Sequence, residues 1–383
     1  MNIIASATTT ITSVSHTEDL LIIQWADGET SRLDSMWLRD HCQMPVSRDA
    51  DNGQRLLNVI DIPEELTIAG VEQLSDEQLK VSFLPENHSS IFTAQWLREN
   101  CYCINQASDD RSASQKILWQ CDSFTAGMPV CNYGEFTSSN ESKAKALGAF
   151  ADYGFTILTG VPCISGQVLE VISHFGFNRA TNYGEMFEVR TEIKPNNLAY
   201  SNLGLGSHTD NPYRDPVPTI QLLHCLQSST AGGDSVLVDG FRAAEVLRQE
   251  RAEHFDMLVD NWVNFRFSDA GVDLNARAAM IETNDLGDVV RVRYNNRSIA
   301  SIRLPADRIK PFYSAYRHFG EILERDYLKI TFRLEPGHLV FFDNTRVLHA
   351  RTAFSAEGER HLQGAYADLD GLYSTLNLLR RDR

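Results

Sequence analysis

A histidine and an aspartate stand two residues apart in Ser207-His208-Thr209-Asp210, and a second histidine, His349, follows far downstream. On an extended backbone, residues two apart point to the same side of the chain. Two imidazoles and one carboxylate can cover one face of a metal ion and leave the other face open. Non-haem Fe(II) needs this arrangement to bind a co-substrate and oxygen together. The pattern therefore predicts an iron site made from two distant parts of the chain.

An arginine, Arg360, follows His349 by eleven residues. Its guanidinium offers a fixed cation for the far carboxylate of a dicarboxylic acid such as 2-oxoglutarate. A His-x-Asp pair alone is weak, because most such pairs are ordinary surface or hydrogen-bonded residues. The combination of two histidines, an aspartate and an arginine in this order is more specific. Its flanks at residues 218–225 and 233–239 also have the composition of strands.

The bulk composition bounds the class of protein. A chain of 383 residues is long enough for two domains, one of them with a large core. Hydrophobic content of 43% and charged content of 22% are typical of a soluble globular protein. The net charge of −16 argues against nucleic acid and anionic membrane surfaces as partners. No apolar run approaches the ~20 residues of a membrane helix. The start lacks the basic region of a secretion signal, and seven cysteines in no regular framework favour reduced thiols in a cytoplasm.

The order of predicted elements divides the chain into three parts. Residues 1–105 hold two β units with similar endings, Trp37-Leu-Arg-Asp and Trp96-Leu-Arg-Glu, and predict a small β-rich N-terminal domain. Residues 106–135 are polar and then rich in Gly and Pro, as a linker would be. Residues 136–383 alternate short strands with helices predicted at 141–153, at 166–175 with Ser165 as N-cap, at 241–260 and at 305–325. The whole is a mostly β fold with flanking helices, and its interrupted strands fit a double-stranded β-helix, a relative of the jelly roll.

Several short segments occur in a fixed order along the chain: Trp37-Leu-Arg-Asp40, Asn196-Asn-Leu-Ala-Tyr200, His208-Thr-Asp210, Gln221-Leu-Leu-His-Cys225, Gly232-Gly-Asp-Ser235, Val238-Asp-Gly-Phe241, Asp343-Asn344, Leu348-His349 and Gly364-Ala-Tyr-Ala-Asp368. From about residue 136 to the end, the chain resembles the taurine-dioxygenase-type Fe(II)/2-oxoglutarate oxygenases. Over nearly its whole length it resembles the narrower γ-butyrobetaine dioxygenase group, which includes trimethyllysine dioxygenase.

The resemblance implies an enzyme that uses Fe(II), 2-oxoglutarate and O2. His208, Asp210 and His349 would bind the iron, and Arg360 would pair with the distal carboxylate of 2-oxoglutarate. Ser235 falls where related enzymes often carry a hydroxyl for the same carboxylate, although hydroxyls in strands often serve structure alone. The iron and co-substrate would oxidise an unactivated C–H bond and leave succinate and CO2, while the protein orients and shields the reaction.

The resemblance also implies a role for the N-terminal domain. Family members use this domain in dimer contacts and carry a zinc ion in it. Cys42 and His88 match two of the four zinc-ligand positions, but Met44 and Ser47 stand at the other two. A structural zinc needs four ligands, nearly all Cys or His. A nearby histidine or carboxylate could complete a site, but nothing in the spacing requires one. We therefore expect a homodimer without bound zinc.

Aromatic residues indicate the cationic end of a small substrate. A quaternary ammonium cannot donate hydrogen bonds, and aromatic ring faces hold it at ~0.5–2 kcal/mol for each good contact. The family builds such a cage, and Tyr183, Phe187, Tyr200 and Tyr366 match its positions. Phe187 stands where γ-butyrobetaine enzymes can carry tryptophan, a better partner for a cation. The alternative is that these aromatics are plain core.

Polar residues indicate the anionic end of the substrate. Asn197 and Asn295 match family positions that hold a carboxylate. Asn211 stands where relatives carry an aromatic or apolar residue, and Arg297 lies just beyond Asn295-Asn296. An arginine plus extra amides would suit a dianion with three oxygens better than a carboxylate. We therefore favour (2-trimethylaminoethyl)phosphonate as substrate, unless Arg297 points to solvent.

Other functions remain open from sequence alone. The first alternative substrate is γ-butyrobetaine, which would place the enzyme in carnitine biosynthesis. Trimethyllysine fits less well, because its α-amino group needs a carboxylate partner that the sequence does not identify. A hypothesis from a different class is a catalytically silent β-helix protein that only binds a small ligand or a partner. The complete set of ligands together with Arg360 argues against it.

Overall fold

The structure is a computed structural model that describes residues 9–103, 116–190, 204–229, 231–354 and 358–381. The chain forms two compact units, Met1–Ala113 and Ser114–Arg383. Both units are rich in sheet, and the second also carries helices that pack on its sheets. Within the described ranges, no helix is long and apolar enough to cross a membrane.

The first unit repeats one supersecondary pattern, an antiparallel sheet followed by a short helix. The sheets run in the orders β1-β2-β3 and β4-β5-β6. The elements are β1 (Ile11–His16), β2 (Leu20–Trp25), β3 (Thr30–Asp34), α1 (Ser35–Asp40), β4 (Thr67–Ser75), β5 (Gln78–Leu84), β6 (His88–Thr93) and α2 (Ala94–Asn100).

Each helix of the first unit begins at a side-chain cap. The Asp34 carboxylate accepts hydrogen bonds from the backbone of Met36 and Trp37, and the Thr93 hydroxyl accepts one from Trp96. Such caps satisfy donors that the first turn of a helix leaves unpaired. The repeated Trp-Leu-Arg segments therefore form two capped helices, and the rings of their tryptophans, Trp37 and Trp96, lie 5.6 Å apart.

The second unit contains the remaining elements. They are β7 (Val130–Asn132), α3 (Tyr133–Ser138), α4 (Asn140–Tyr153), β8 (Phe155–Thr159), α5 (Gln167–Ser173), β9 (Met186–Arg190), β10 (Leu205–His208), β11 (Ile220–Ser228), β12 (Ser235–Asp239), α6 (Gly240–Glu250), α7 (Ala252–Asp260), β13 (Val263–Asp269), β14 (Val272–Ala278), β15 (Ile281–Thr283), β16 (Val289–Val292), α8 (Ala306–Leu323), β17 (Lys329–Phe332), β18 (Leu339–Asp343), β19 (Val347–Arg351), β20 (Arg360–Ala367) and α9 (Leu369–Arg381).

Two larger sheets organise the second unit. One has the strand order β10-β19-β12-β17 and the other has the order β7-β8-β18-β11-β20-β9. One buried cluster contains side chains from both sheets, among them Leu237 of β12 and Phe342 of β18. A second cluster packs α4, α5 and α9 on the larger sheet, and a third packs α6, α7 and α8 together. The two sheets thus share a core, with helices covering their outer sides.

Part of the predicted linker belongs to the second unit. Trp119 lies within residues 106–135 but is buried, and its backbone N–H donates to Asp239 Oδ2 at 3.1 Å. Arg346 forms a fully buried ion pair with the same carboxylate at 2.9 Å and donates to the carbonyl of Ile117 at 2.6 Å. The predicted linker therefore includes residues anchored in a core, because a buried ion pair needs their backbone groups.

Two predicted helices differ in detail. The helix predicted at 166–175 begins after Gly166, whose φ of 85° only glycine adopts readily, so the predicted N-cap at Ser165 is wrong. Gln363 donates to the Ser165 hydroxyl instead, at 2.8 Å. The helix predicted at 241–260 is interrupted at Arg251, where φ is −153°, and becomes α6 and α7. By contrast, α4 ends at Gly154 in the left-handed region, as the sequence predicts.

Candidate metal centre and substrate cavity

The two histidines of the predicted iron site lie on neighbouring strands. His208 ends β10 and pairs directly with His349 of β19, so both imidazoles leave the sheet on one face. Asp210 follows two residues later. Its backbone is held by Asn344, whose Oδ1 accepts from the Asp210 N–H at 2.7 Å and whose Nδ2 donates to the Asp210 carbonyl at 2.9 Å. The Asp343-Asn344 turn therefore fixes the third ligand against the strands that carry the other two.

The three side chains form a compact set of metal-ligand atoms. Nε2 of His208 lies 3.3 Å from Oδ1 of Asp210, and Nε2 of His349 lies 3.9 Å from Oδ2. The three residues each place one possible ligand atom within 4.8 Å of the other two. Within the described chain, no other group of three or more His, Cys, Asp or Glu side chains comes this close together. The distances fit a single ion bound on one face.

The hydrogen bonding of His208 tests whether a metal fits. Its Nδ1 lies 2.8 Å from the carbonyl of Gly206, so a neutral imidazole places its proton there. Nε2 and the carboxylate oxygen of Asp210 are then two electron-pair acceptors facing each other at 3.3 Å. Such a contact is unfavourable unless a cation lies between them. The donor set thus fits a divalent metal ion.

Electrostatics keep the Asp210 and His349 side chains unprotonated. Burial raises the pKa of the Asp210 carboxyl, but the imidazoles of His208 and His349 that face the carboxylate outweigh burial, so the pKa stays well below its usual range. Burial, with the charge of His208, lowers the pKa of His349 to about 3. At neutral pH both side chains are therefore in the form that binds a cation.

Two further side chains orient the Asp210 carboxylate. The Gln221 amide and the Tyr366 hydroxyl both donate to Oδ2, at 2.9 Å and 3.0 Å. Gln221 of β11 pairs directly with Tyr366 of β20. The sequence analysis did not assign a role to Gln221. The sequence does contain one sign of a role for Gln221, because this amide lies in the mostly apolar strand predicted at residues 218–225.

One cavity brings most of the predicted site residues together. The predicted residues that line it are Tyr183, Phe187, His208, Asp210, Asn211, Ser235, Arg297, His349, Arg360 and Tyr366. Asn197 and Tyr200 lie outside the described residues. Asn295 does not line the cavity. Its Nδ2 donates to the Thr209 carbonyl at 3.0 Å and its Oδ1 accepts from the Arg297 N–H at 3.1 Å, so each end of the amide already has a partner in the chain. Its role in substrate binding stays a prediction, and in the structure the amide supports the cavity wall.

A pair of arginines marks one side of the cavity. Arg360 and Arg351 both line it, and Arg351 pairs across the strands with Ser235. Burial lowers the pKa of Arg360, and burial with the charge of Arg360 lowers that of Arg351 to about 10. Both therefore remain positive at neutral pH and favour an anionic ligand. Arg351 was missed from sequence, although its spacing of two from His349 in a strand places it on the same face.

Aromatic rings line another side of the cavity. The ring centres of Phe187 and Tyr366 lie 5.1 Å apart, and those of Tyr183 and Phe187 lie 6.4 Å apart. Gly364 allows this arrangement, because a Cβ there would lie 2.3 Å from the Phe187 ring. The structure adds Tyr213, whose hydroxyl lies 3.1 Å from that of Tyr183. Three of the four predicted cage residues are thus brought together, while Tyr200 lies in the part of the chain left undescribed.

Asn211 and Arg297 lie beside the metal ligands. Asn211 is buried in the left-handed backbone region, with φ of 53°. Arg297 remains exposed while lining the cavity, and its positive charge acts on Asp210 and His349. The side chain therefore reaches the metal site and does not simply extend into open solvent.

In the first unit, Cys42 and His88 lie together. The Cys42 Sγ and His88 Nε2 atoms are 3.4 Å apart, and the same ring nitrogen lies 3.2 Å from the Ser90 hydroxyl. The Ser47 hydroxyl accepts from Arg39 at 3.2 Å. The matched pair is therefore assembled, and the absence of zinc stays a prediction.

Comparison with known proteins gives matches along most of the chain. Residues 124–366 match the family described as taurine catabolism dioxygenase TauD, TfdA family, and residues 12–98 match the gamma-butyrobetaine hydroxylase-like N-terminal family. The γ-butyrobetaine dioxygenase of Pseudomonas sp. (strain AK-1) is 34% identical over 361 residues, which cover 94% of this chain and 93% of that protein. The γ-butyrobetaine dioxygenase of Homo sapiens is 33% identical over 94% of this chain and 95% of its own length. The trimethyllysine dioxygenase of Meyerozyma guilliermondii is 28% identical over 97% of this chain and 96% of its own length.

Proposed function

Because this chain is an Fe(II)- and 2-oxoglutarate-dependent dioxygenase of the TauD, TfdA family, we propose that it hydroxylates a methylene group of a small trimethylammonium anion. The relatives named γ-butyrobetaine and trimethyllysine dioxygenases support the trimethylammonium head. The cavity supports it independently, since it combines aromatic rings with arginines. We take the two sheets that share a core as the halves of a double-stranded β-helix, with residues 1–105 as a separate N-terminal domain.

His208, Asp210 and His349 would hold the metal, and all three side chains line the cavity. Fe(II) with 2-oxoglutarate and O2 supplies the oxidation of a C–H bond, with succinate and CO2 as by-products. Gln221 and Tyr366 keep Oδ2 of Asp210 engaged, so that the carboxylate has one orientation.

Arg360 binds the distal carboxylate of 2-oxoglutarate, with Ser235 and Arg351 beside it. Among the ion pairs of the described residues none includes Arg360, which leaves its guanidinium available for a co-substrate. A bidentate arginine–carboxylate pair fixes orientation as well as position. The rings of Tyr183, Phe187 and Tyr366 hold the trimethylammonium head and exclude water from the cavity.

The observation that carries our choice of anion is the presence of Arg297 and Asn211 in the cavity wall. A guanidinium and an amide together offer more donors than a carboxylate can accept with good geometry, whereas a phosphonate presents three oxygens. We therefore favour (2-trimethylaminoethyl)phosphonate. The second candidate is γ-butyrobetaine, which is favoured by the names of two relatives that match nearly the whole chain. The homodimer and the cytoplasmic location stay predictions.

The test is a side-by-side turnover assay with (2-trimethylaminoethyl)phosphonate, γ-butyrobetaine and trimethyllysine, measured as succinate formed from 2-oxoglutarate. Removing a bidentate arginine costs about 1.5–3 kcal/mol, or roughly ten- to a hundredfold in binding. Arg297→Ala should therefore raise the Michaelis constant for the phosphonate by that factor and affect γ-butyrobetaine less. Arg291→Ala is the matched control, since Arg291 pairs with Glu282 at 2.8 Å and does not line the cavity.

The possible results test the choice of substrate anion and the metal site separately. Far faster turnover of γ-butyrobetaine than of the phosphonate would refute our assignment of Asn211 and Arg297, while the metal site and the cage would stand. Full turnover by His208→Ala and Asp210→Ala variants would overturn the metal assignment itself.

A further inference from the structure

The Asn211 side-chain amide is held in one orientation by two donors. The Tyr213 hydroxyl donates to Asn211 Oδ1 at 2.9 Å, and Nε of Arg214 donates to the same oxygen at 3.4 Å. An amide has one accepting end and one donating end, so two donors fix which end is which. Oδ1 must face Tyr213 and Arg214, and the NH2 group must occupy the opposite side of the amide.

The NH2 group of this amide is left without a partner. Asn211 is 3% exposed and lines the cavity, yet its Nδ2 has no hydrogen-bond partner within the described parts of the chain. Buried donors are nearly always paired in folded proteins, so an unpaired donor in a cavity wall is free to bind a ligand there. The same wall carries Arg297, so the local chemistry is that of donors and positive charge.

A chain of hydroxyl groups determines where the Tyr213 proton points. The Tyr183 and Tyr213 oxygens are 3.1 Å apart, and either could donate by geometry alone. Because Tyr213 donates its single proton to Asn211, the Tyr183 hydroxyl must donate to Tyr213. Burial raises the pKa of Tyr213 far above its usual range, so the hydroxyl keeps its proton. The hydrogen bonds therefore run in one direction, from the Tyr183 hydroxyl to the Tyr213 hydroxyl and from there to the Asn211 amide oxygen.

We propose that Tyr213 is a positioning residue that sets the preference for an anionic substrate tail. Its hydroxyl, supported by Tyr183, turns the Asn211 amide so that the substrate meets N–H donors and no acceptor. This inference deepens the proposed function and rests on it, because the tail belongs to the same trimethylammonium anion. Through the same hydroxyl chain, the cage that receives the cationic head also orients the group that receives the anionic tail.

Removing the hydroxyl while keeping the ring is the direct test. The Tyr213 ring packs on Phe267 with centres 5.1 Å apart, and Tyr213→Phe preserves that contact. Without the hydroxyl, only the longer bond from Arg214 holds Oδ1, so the amide rotates more freely and can present Oδ1 to the anion, which repels it. We expect the Michaelis constant for the anionic substrate to rise about ten- to a hundredfold, the range for losing a hydrogen bond to a charged group. The maximal rate and the Michaelis constant for 2-oxoglutarate should stay within about twofold, since neither depends on Asn211.

Two controls separate positioning from general damage. Tyr316→Phe removes another buried tyrosine hydroxyl, one that has no partner within the described residues and lies outside the cavity, and should leave all constants unchanged. A trimethylammonium alcohol with a neutral hydroxyl tail, used as a competitive inhibitor, should bind wild type and Tyr213→Phe equally. Equal weakening of the anionic substrate and the neutral inhibitor would overturn the inference.

A double-mutant cycle tests whether Tyr213 acts through Asn211. In an Asn211→Ala background, Tyr213→Phe should add nothing further, because the amide that it orients is gone. Additive effects of the two substitutions would also overturn the inference. If wild type turns over no trimethylammonium anion with 2-oxoglutarate, the proposed function fails and the inference fails with it. If wild type does turn one over and Tyr213→Phe is unchanged, only the inference fails.

Discussion

At the scale of single residues, the Asp210 carboxylate shows that a metal centre also depends on side chains that hydrogen-bond to its ligands. Oδ2 accepts from Gln221 and Tyr366, while Oδ1 lies nearer to His208. Donors on one oxygen hold the carboxylate plane and leave the other oxygen for the metal. Partners of this kind usually change metal affinity by 10–100-fold when they are removed.

We therefore predict that Gln221→Leu binds metal about 10–100-fold more weakly while the fold is kept. The check is a titration of the apoprotein with Fe(II) under anaerobic conditions, or with Co(II) followed by its absorption. Gln363→Leu is the matched control, because Gln363 is equally buried in the same sheet but bonds Ser165 and Glu188, at 2.8 Å each. Equal affinity in Gln221→Leu and wild type would show that Tyr366 alone orients the carboxylate.

At the scale of strands and helices, β11 crosses the centre of the larger sheet and contains a fully buried histidine, His224. Burial lowers its pKa to about 4, from 6.5 in a solvated histidine. Between these values the unfolded chain binds a proton that the folded chain excludes, so the free energy of unfolding falls as the pH falls from 6.5 towards 4. At 1.36 kcal/mol per pKa unit, the loss reaches about 3 kcal/mol.

We predict that His224→Leu removes this part of the acid sensitivity. Urea unfolding at pH 7.5 and at pH 4.5 should show the variant gaining stability relative to wild type at the lower pH, by up to about 3 kcal/mol. The same substitution at His16, exposed at the end of β1, is the control for loss of a histidine. A constant difference between variant and wild type at both pH values would contradict the prediction.

The elements that sequence predicts well are those with strong local signals. The strand predicted within 218–225 is a short apolar run, the helix at 141–153 has clear helical periodicity, and Gly154 marks the end of that helix. The order of His208, Asp210, His349 and Arg360 was enough to anticipate the centre of the cavity. The break at Arg251 could not be anticipated, because no Gly or Pro marks it.

Other features of the site depend on contacts between distant segments. Gln221 meets Tyr366 at the Asp210 carboxylate because β11 pairs with β20, and the local sequence does not reveal which strands pair. Trp119 looked like part of a polar linker, yet Asp239, 120 residues later, binds its backbone. Asn295 matched a substrate-binding position in the sequence, but the turn in which it lies uses both ends of its amide.

At the scale of the whole molecule, each unit has its own apolar core, and the metal ligands lie in the second unit alone. A ligand that binds only the folded state stabilises it by about 2.7 kcal/mol at a hundredfold excess over its Kd. We therefore predict two thermal transitions in calorimetry. Mn(II) with 2-oxoglutarate should raise the transition of the second unit by about 5–10 °C and leave that of the first unit in place.

Hydrogen exchange of peptides from residues 9–103 and 116–381 assigns each transition to its unit, and Asp210→Ala should lose the shift.

The same calorimetric experiment tests whether the first unit binds zinc. Cys42 and His88 supply two ligands where a structural site needs four, so Zn(II) should not stabilise the first unit. The Asp210→Ala protein is the better sample for this arm, because its weakened iron site no longer competes for zinc. A rise in the first transition with equimolar Zn(II), reversed by chelator, would show that other side chains have replaced the missing cysteines.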